Sequence, residues 1–209
     1  MSNKSNAAER LIFIDSETTG LVPADGFMVE LGMRITDLSL DTIDEKYELI
    51  WSPVHDKFCT QANIDPFVWD MHVKSALWAD AKSHGQDISV VMDEFIEWLE
   101  AHDVTPGLVV GGAVTPGIEP MVGSSVQFDR AWLEFHMEPL AVYFSYRNID
   151  SSTIKELCRR YNPDVYARMD EFTQPQKLHR VEPDLTDTIE EFGYYLTNFI
   201  FDAVSSVHH

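Results

Sequence analysis

The sequence predicts an α/β fold, a mixed central β-sheet flanked by α-helices. Leu11-Ile12-Phe13-Ile14 is short and continuously apolar, as a buried strand is. Two more strand-like runs follow at short spacing, Phe27–Ile35 and Lys46–Trp51. Helical periodicity then takes over, most clearly in Val91, Phe95, Trp98 and Leu99.

Taken in order, Leu11–Asp15 reads as a central strand. The turn-prone Asp37-Leu38-Ser39-Leu40-Asp41 divides the next two strands, and the short connections suggest an antiparallel meander. Ile64–Met71 and Ser75–Lys82 read as short helices and Ile88–Ala101 as a longer one. Thr105-Pro106-Gly107 and Thr115-Pro116-Gly117 bracket the run Leu108–Val114. They read as two turns around a small hairpin, so 104–119 is expected to be an insertion or flap. Pro120–Gly123 returns to a strand, Phe128–His136 is a helix, and Ser152–Tyr161 sets Ile154, Leu157 and Cys158 on one helical face. The last helix is expected to start near Pro183, because proline is tolerated in a first turn and breaks an interior. Its apolar stripe runs through Ile189, Phe192, Leu196, Phe199 and Ile200. With no internal repeat and no low-complexity linker, 1–209 reads as one domain with a core over about 10–201.

Composition narrows the function. The chain has 35 acidic residues against 15 Lys and Arg, a formal net charge of −20. Proteins that grip long polynucleotides present a basic face, because phosphate neutralisation and counterion release drive that binding. A nucleic-acid substrate, if there is one, should therefore be short and held by a few local cations and metal ions. No apolar run approaches the roughly 18 residues of a membrane span, and no signal peptide is visible after Met1. Cys59 and Cys158 lie in unrelated contexts and suggest neither a disulfide framework nor a zinc site, so a cytoplasmic setting is expected. His208-His209 is set aside as native or a tag remnant.

The chemistry rests on Asp15, Glu17, Asp129, His179 and Asp184. Asp15 and Glu17 are i and i+2 at the end of the first strand, so both point to one face. Asp184 follows His179 by five residues near a helix start, and Asp129 opens the Phe128–His136 helix. Divalent magnesium or manganese prefers carboxylate oxygens, and in two-metal phosphodiester hydrolysis the ions sit about 3.5–4 Å apart. A histidine on a loop can deprotonate the attacking water. Each residue also has an ordinary structural role. Asp129 could cap its helix, Asp184 could answer a helix dipole, and His179 could be a loop residue. The joint pattern favours a nuclease.

Asp15-Ser16-Glu17-Thr18-Thr19-Gly20-Leu21 resembles the first motif of the DEDDh superfamily of 3′-to-5′ exonucleases. Gly123–Arg130 resembles the second motif and His179–Asp184 the third. Phe144-Ser145-Tyr146-Arg147-Asn148-Ile149-Asp150-Ser151-Ser152-Thr153-Ile154-Lys155-Glu156-Leu157 is similar to the signature of the oligoribonuclease family. The resemblance runs from about Leu11 to Ile200.

It implies an RNase H-like exonuclease fold and hydrolysis of short oligoribonucleotides, dinucleotides favoured, to nucleoside 5′-monophosphates. Asp15, Glu17, Asp129 and Asp184 would hold two ions, Mg2+ or Mn2+, and His179 would be the general base. Leu21 would wedge between two bases, Phe67 would stack, and His72 matches a pocket histidine. Ser125, Arg147, Ser152 and Lys155 match residues that cap a 5′ phosphate, with Tyr146 and Arg147 supplied by the partner subunit of a homodimer. Thr18, Phe67 and Pro183 depart from the residues usual at those positions, and mark a divergent member whose preference for RNA, DNA or length has room to shift. The alternatives are a related exonuclease acting on single-stranded DNA or RNA 3′ ends, and a non-catalytic module binding short nucleotides.

Overall fold

A computed structural model of the chain describes residues 10–107, 109–110, 113–114, 117–169 and 178–201. The apolar run anticipated at Leu11 lies in β1 (Arg10–Thr18). β2 (Met28–Asp37) and β3 (Thr42–Leu49) follow it as an antiparallel meander. β4 (Val109–Val110) and β5 (Ala113–Val114) form a separate short antiparallel ladder. β6 (Glu119–Gly123) and β7 (Phe144–Asp150) then extend the main sheet in parallel. The order is β3-β2-β1-β6-β7, which leaves β1 in the middle and β7 on an edge.

β1 outruns its apolar stretch. Its pairing with β2 continues through Asp15↔Gly32 and Glu17↔Glu30 to Thr18↔Met28, so both acids are paired within the last four residues of the strand. Backbone pairing, not side-chain hydrophobicity, sets the length here.

The helices are α1 (Pro53–Phe58), α2 (Pro66–Lys74), α3 (Leu77–His84), α4 (Ile88–Ala101), α5 (Gln127–His136), α6 (Glu138–Ala141), α7 (Ser151–Tyr161), α8 (Pro163–Met169) and α9 (Val181–Tyr195). Ala76, in the left-handed region at φ 60°, separates α2 from α3, so the stretch expected as one helix from Ser75 begins two residues later. α9 starts ahead of Pro183, which occupies its third position, where a missing N–H costs no internal hydrogen bond. A π-type segment, Leu196–Phe201, continues it. Gly107 and Gly117 both donate N–H to the Val142 carbonyl, at 2.9 and 3.0 Å, and so close the base of the 104–119 stretch. Leu108, Gly111, Gly112 and the second Thr-Pro turn at Thr115-Pro116 lie outside the described residues.

Strand alternation divides the core. Ile12 and Ile14 pack with Phe95, Leu99, Trp132 and Leu140 of α4–α6, whereas Phe13 packs with Val181, Leu185, Ile189 and Phe192 of α9. Phe13 meets the Phe192 ring edge-on, with centroids 5.7 Å apart. α9 lies tightly on the sheet because Gly32 has no side chain. A Cβ there would overlap Val181 and sit 2.7 Å from Tyr47 Cδ1. Among the described residues, no helix is long and apolar enough to cross a membrane.

Gly32→Ala should therefore lower the unfolding free energy by about 1–3 kcal/mol, the usual cost of overpacking. Urea denaturation reads this as a lower midpoint at constant slope. An unchanged midpoint would contradict the close seating of α9 on β2.

Candidate active site

The alternation that splits the core also sorts the first motif. Asp15 and Glu17 share the parity of Phe13, so they belong to the face covered by α9. The α9 start brings the remaining groups to that face. One donor atom each from Glu17, His179 and Asp184 lies within 4.8 Å of the others. Glu17 and Asp184 are buried, and His179 is partly exposed. His179 has φ 49°, in the left-handed region, just before the helix. The Asp184 N–H closes the first turn of α9 onto the Arg180 carbonyl at 3.1 Å.

The electrostatics of this cluster favour a cation. Burial, then the charges of Asp184, Glu30 and Asp129, push the Glu17 carboxyl up to about 8, while Arg180 acts the other way. Buried carboxylates that repel one another, with an imidazole beside them, form a hard donor set suited to a divalent ion. The residues present thus fit a metal site.

Ser16 has the opposite parity and meets α5. Its hydroxyl donates to Asp129 Oδ1 at 2.7 Å. Asp129 lies in the first turn of α5 and is not its cap, a position held by Val126. Burial pushes its carboxyl up to about 7, against the Ser16 hydrogen bond. Asp129 acts on Glu17 through its charge, yet neither it nor Asp15 belongs to the three-donor group.

His72 is fully buried. Its Nε2 lies 2.9 Å from the Thr18 carbonyl and its Nδ1 3.9 Å from Glu17 Oε2. This bond ties α2 to the end of β1, and α2 carries Phe67 in its first turn. Phe67 is 74% exposed, and Leu21, just past β1, is 82% exposed. Two large apolar side chains, one on α2 and one just past β1, are thus in contact with solvent.

A second locus forms where β6 and β7 end. Asp150 caps α7 by accepting from Ser152 N at 2.9 Å, and it also accepts from Ser125 N at 3.0 Å. Ser152 Oγ lies 3.0 Å from both Ser124 Oγ and Ser125 Oγ. An open pocket of about 420 Å3 is lined here by Ser125, Ser152, Thr153, Gln127, Glu156 and Arg160, among others. Lys155 instead pairs with Glu191 of α9 at 2.6 Å. Tyr146 and Arg147 lie exposed on the edge strand β7, with the guanidinium 5.0 Å from the Tyr146 ring centroid.

Sequence reasoning passed over several of these residues. Ser16 stands inside the first motif, and its parity alone would have directed it to the opposite face. Arg180 adjoins His179 but carries no separate signal. Thr153 and Arg160 become visible only when α7 is folded against β6.

The RNase T exonuclease family model matches residues 12–192. The chain belongs to this exonuclease family. Several oligoribonucleases are similar along most of their length. That of Nitrosomonas europaea is 33% identical over 195 residues, 93% of this chain and 96% of the relative. That of Idiomarina loihiensis is 32% identical, over 94% of this chain and 97% of the relative. Among solved structures, exonuclease I superposes with a TM-score of 0.67 at 14% identity, over 95% of this chain and 43% of that one. Exonuclease I from Methylocaldum szegediense gives 0.62 at 15% identity, over 94% and 43%. This chain spans less than half the length of those two. The likeness is one of fold, the RNase H-like exonuclease fold, and the enzyme is a hydrolase of the exonuclease class.

The raised carboxyls set the pH dependence of this exonuclease when divalent metal is chelated. Between 4.5 and about 8 the folded state retains the Glu17 proton that the unfolded chain releases. The resulting stabilisation is complete below 4.5 and is lost as pH rises to about 8. Asp129 adds to the fall up to about 7. Below about 6.5 the buried imidazoles of His55 and His72 and the half-buried one of His136, lowered from their ordinary range by burial, oppose this fall. Urea midpoints in EDTA should thus decline clearly only above about 7. Glu17→Gln should remove the part of the slope above 7, whereas saturating Mg2+ should stabilise the wild type by about 2.7 kcal/mol at 100 times its Kd. A slope above 7 that survives Glu17→Gln would reject the assignment to Glu17.

Proposed function

We propose that the chain is a 3′-to-5′ exoribonuclease that hydrolyses short oligoribonucleotides, dinucleotides favoured, to nucleoside 5′-monophosphates. The convergence of Glu17, His179 and Asp184 carries the reading, since a pure binding module has no need of a base beside a cation site. Similarity to oligoribonucleases over more than nine-tenths of either chain supports the substrate class. The whole chain is read as one exonuclease domain, in a cytoplasmic setting that suits its two buried free thiols, Cys59 and Cys158.

Asp15, Glu17, Asp129 and Asp184 would hold two divalent cations, Mg2+ or Mn2+, which supply charge stabilisation at the phosphate and a more acidic water. His179 takes the proton from the attacking water as its oxygen bonds to phosphorus, while the P–O3′ bond breaks and the leaving 3′ oxygen takes a proton from solvent to become a hydroxyl. The partly exposed position of His179 lets the water's proton pass on to solvent. Phe67 offers a face for a base, and Leu21 inserts between two bases. Ser125 and Ser152, joined by Thr153 and Arg160, receive a terminal 5′ phosphate in the pocket at the start of α7. Lys155 can join them by exchanging Glu191 for the phosphate. Tyr146 and Arg147 close the cap across a homodimer through the edge strand β7. A terminal cap rewards a substrate that ends there and obstructs a longer strand. The net charge of −20 also disfavours long polyanions.

A second reading is action on single-stranded DNA or RNA 3′ ends, favoured by the form Glu17-Thr18-Thr19-Gly20-Leu21. Steady-state hydrolysis of 5′-phosphorylated RNA and DNA, from two-mers to twenty-mers, separates the two. The RNA two-mer should have the highest kcat/KM, and equal values on two-mers and long strands would refute the length preference. His179→Ala should lower kcat by about 10²–10⁴-fold, the usual worth of a general base. Phe67→Ala should act mainly on KM, through loss of about 1–3 kcal/mol of stacking. An engineered monomer that retains full activity on two-mers would remove the cross-subunit cap.

A further inference from the structure

Two of the three clustered donors, His179 and Asp184, depend on one backbone unit. Arg180 follows His179 directly, and its carbonyl accepts the Asp184 N–H. Arg180 is also the N-cap of α9, with φ −138° and ψ 142°, but an arginine has no acceptor with which to cap. Glu30 of β2 does this from the sheet. Its Oε2 accepts the Val181 N–H at 3.1 Å. The same carboxylate takes a forked pair of bonds from the guanidinium, Nη2 to Oε1 and Nε to Oε2, each 3.0 Å. The remaining arm, Nη1, reaches Asp80 Oδ2 of α3 at 2.7 Å. It also lies 3.4 Å from the Ser75 carbonyl between α2 and α3.

We propose that Arg180 is a positioning residue, the centre of a Glu30–Arg180–Asp80 latch that fixes His179 and Asp184 over Glu17 and couples them to the α2–α3 segment that presents Phe67. The proposal rests on the exonuclease reading above and goes beyond it.

Three features support the latch. Left-handed backbone at a residue other than glycine is strained and persists only where its surroundings over-determine it. His179 is such a residue, and the bonds that fix the chain immediately after it are those of Arg180 and Val181 to Glu30. Glu30 pairs with Glu17 across β1 and β2. A buried acid at that point would repel the site, and the guanidinium offsets it. The third feature is reach. Asp80 belongs to the element that follows α2, so a single side chain spans the sheet, the α9 start and the helices bearing the exposed phenylalanine. A fork engaging two carboxylates in fixed geometry suits arginine and not lysine.

The test compares wild type with Arg180→Lys, which keeps the charge, and Asp80→Asn, which keeps an acceptor but removes the carboxylate charge from the half-exposed outer arm. Displacement of reacting groups by about 1 Å can cost 10²-fold. Arg180→Lys is therefore expected to lower kcat on an RNA two-mer by about 10- to 100-fold, with a smaller rise in KM as the α2–α3 arm loosens. Asp80→Asn should lower kcat less. Mn2+ affinity, followed by electron paramagnetic resonance without substrate, should weaken at least severalfold in Arg180→Lys, and circular dichroism should show an unchanged fold.

Unaltered kcat and unaltered Mn2+ affinity in both variants would overturn the latch. So would a loss confined to KM. If wild type cleaves no oligonucleotide, the exonuclease reading fails by itself, and the Mn2+ titration still decides the latch. If Arg180→Lys does not fold, Asp80→Asn decides it on the same two measurements, and wild-type values for both count against it.

Discussion

Mutual repulsion among buried acids is the constraint that organises this molecule. Glu17, Asp129, Asp184 and Glu30 are all buried, and the charges of the other three raise the Glu17 carboxyl further. Uncompensated, such a group would favour opening of the site, since burying charge without a partner is costly. The fold meets this with polar clamps. Ser16 holds Asp129, Arg180 holds Glu30, and Glu30 caps α9. The residual strain is confined to Glu17 and its immediate neighbours, where a divalent cation can relieve it. Architecture and chemistry therefore share one cause. A central strand flanked on both sides is what allows acids from β1, α5 and α9 to approach one another without exposure to water.

The period-two alternation of β1 turns this constraint into geometry. One face carries Phe13, Asp15 and Glu17 toward α9, and the other carries Ile12, Ile14 and Ser16 toward α4–α6. Gly32 on β2 lets Val181 descend onto the sheet, and that descent brings His179 and Asp184 within reach of Glu17. The candidate metal site, core packing and helix seating thus share a few residues at one end of β1.

Legibility in the sequence follows from how local each signal is. The buried β1, the amphipathic α4 and α9, and the three exonuclease motifs are contiguous patterns, and they are readable as such. β7 was not readable as a strand, because Ser145-Tyr146-Arg147-Asn148 is polar and lies on a sheet edge where no alternation is enforced. α8 is a short helix, seven residues, whose buried residues are Val165 and Met169, too brief for a periodic signal. At the site, the sequence singled out five acid and base residues, and the structure brings Glu17, His179 and Asp184 together, a grouping the sequence did not show. The division between Glu17, His179 and Asp184 on one side and the Ser16–Asp129 pair on the other depends on which face of β1 each partner approaches. Lys155 illustrates the same limit. The family resemblance implies a phosphate contact for it, yet only the packing of α7 against α9 brings it to Glu191.

The two loci are joined by the strands themselves. β1 ends at the acids, and β6 and β7 end at the serines of the pocket. Since β6 pairs with β1 and β7 with β6 in parallel, the ends of all three face the same way. On the proposed function, a substrate lying across those ends would meet the acids at one extremity and hydroxyls with an arginine at the other. The distance between them is set by sheet geometry, at roughly 4.8 Å per strand spacing, and not by flexible loops. Two strand spacings amount to roughly 10 Å, a span suited to a very short oligonucleotide and poorly matched to a continuous strand. The overall acidity then does not conflict with a nucleic-acid substrate. If the far phosphate is gripped locally, as proposed, the remaining surface has no further polyanion to hold, and its negative charge would disfavour longer ones.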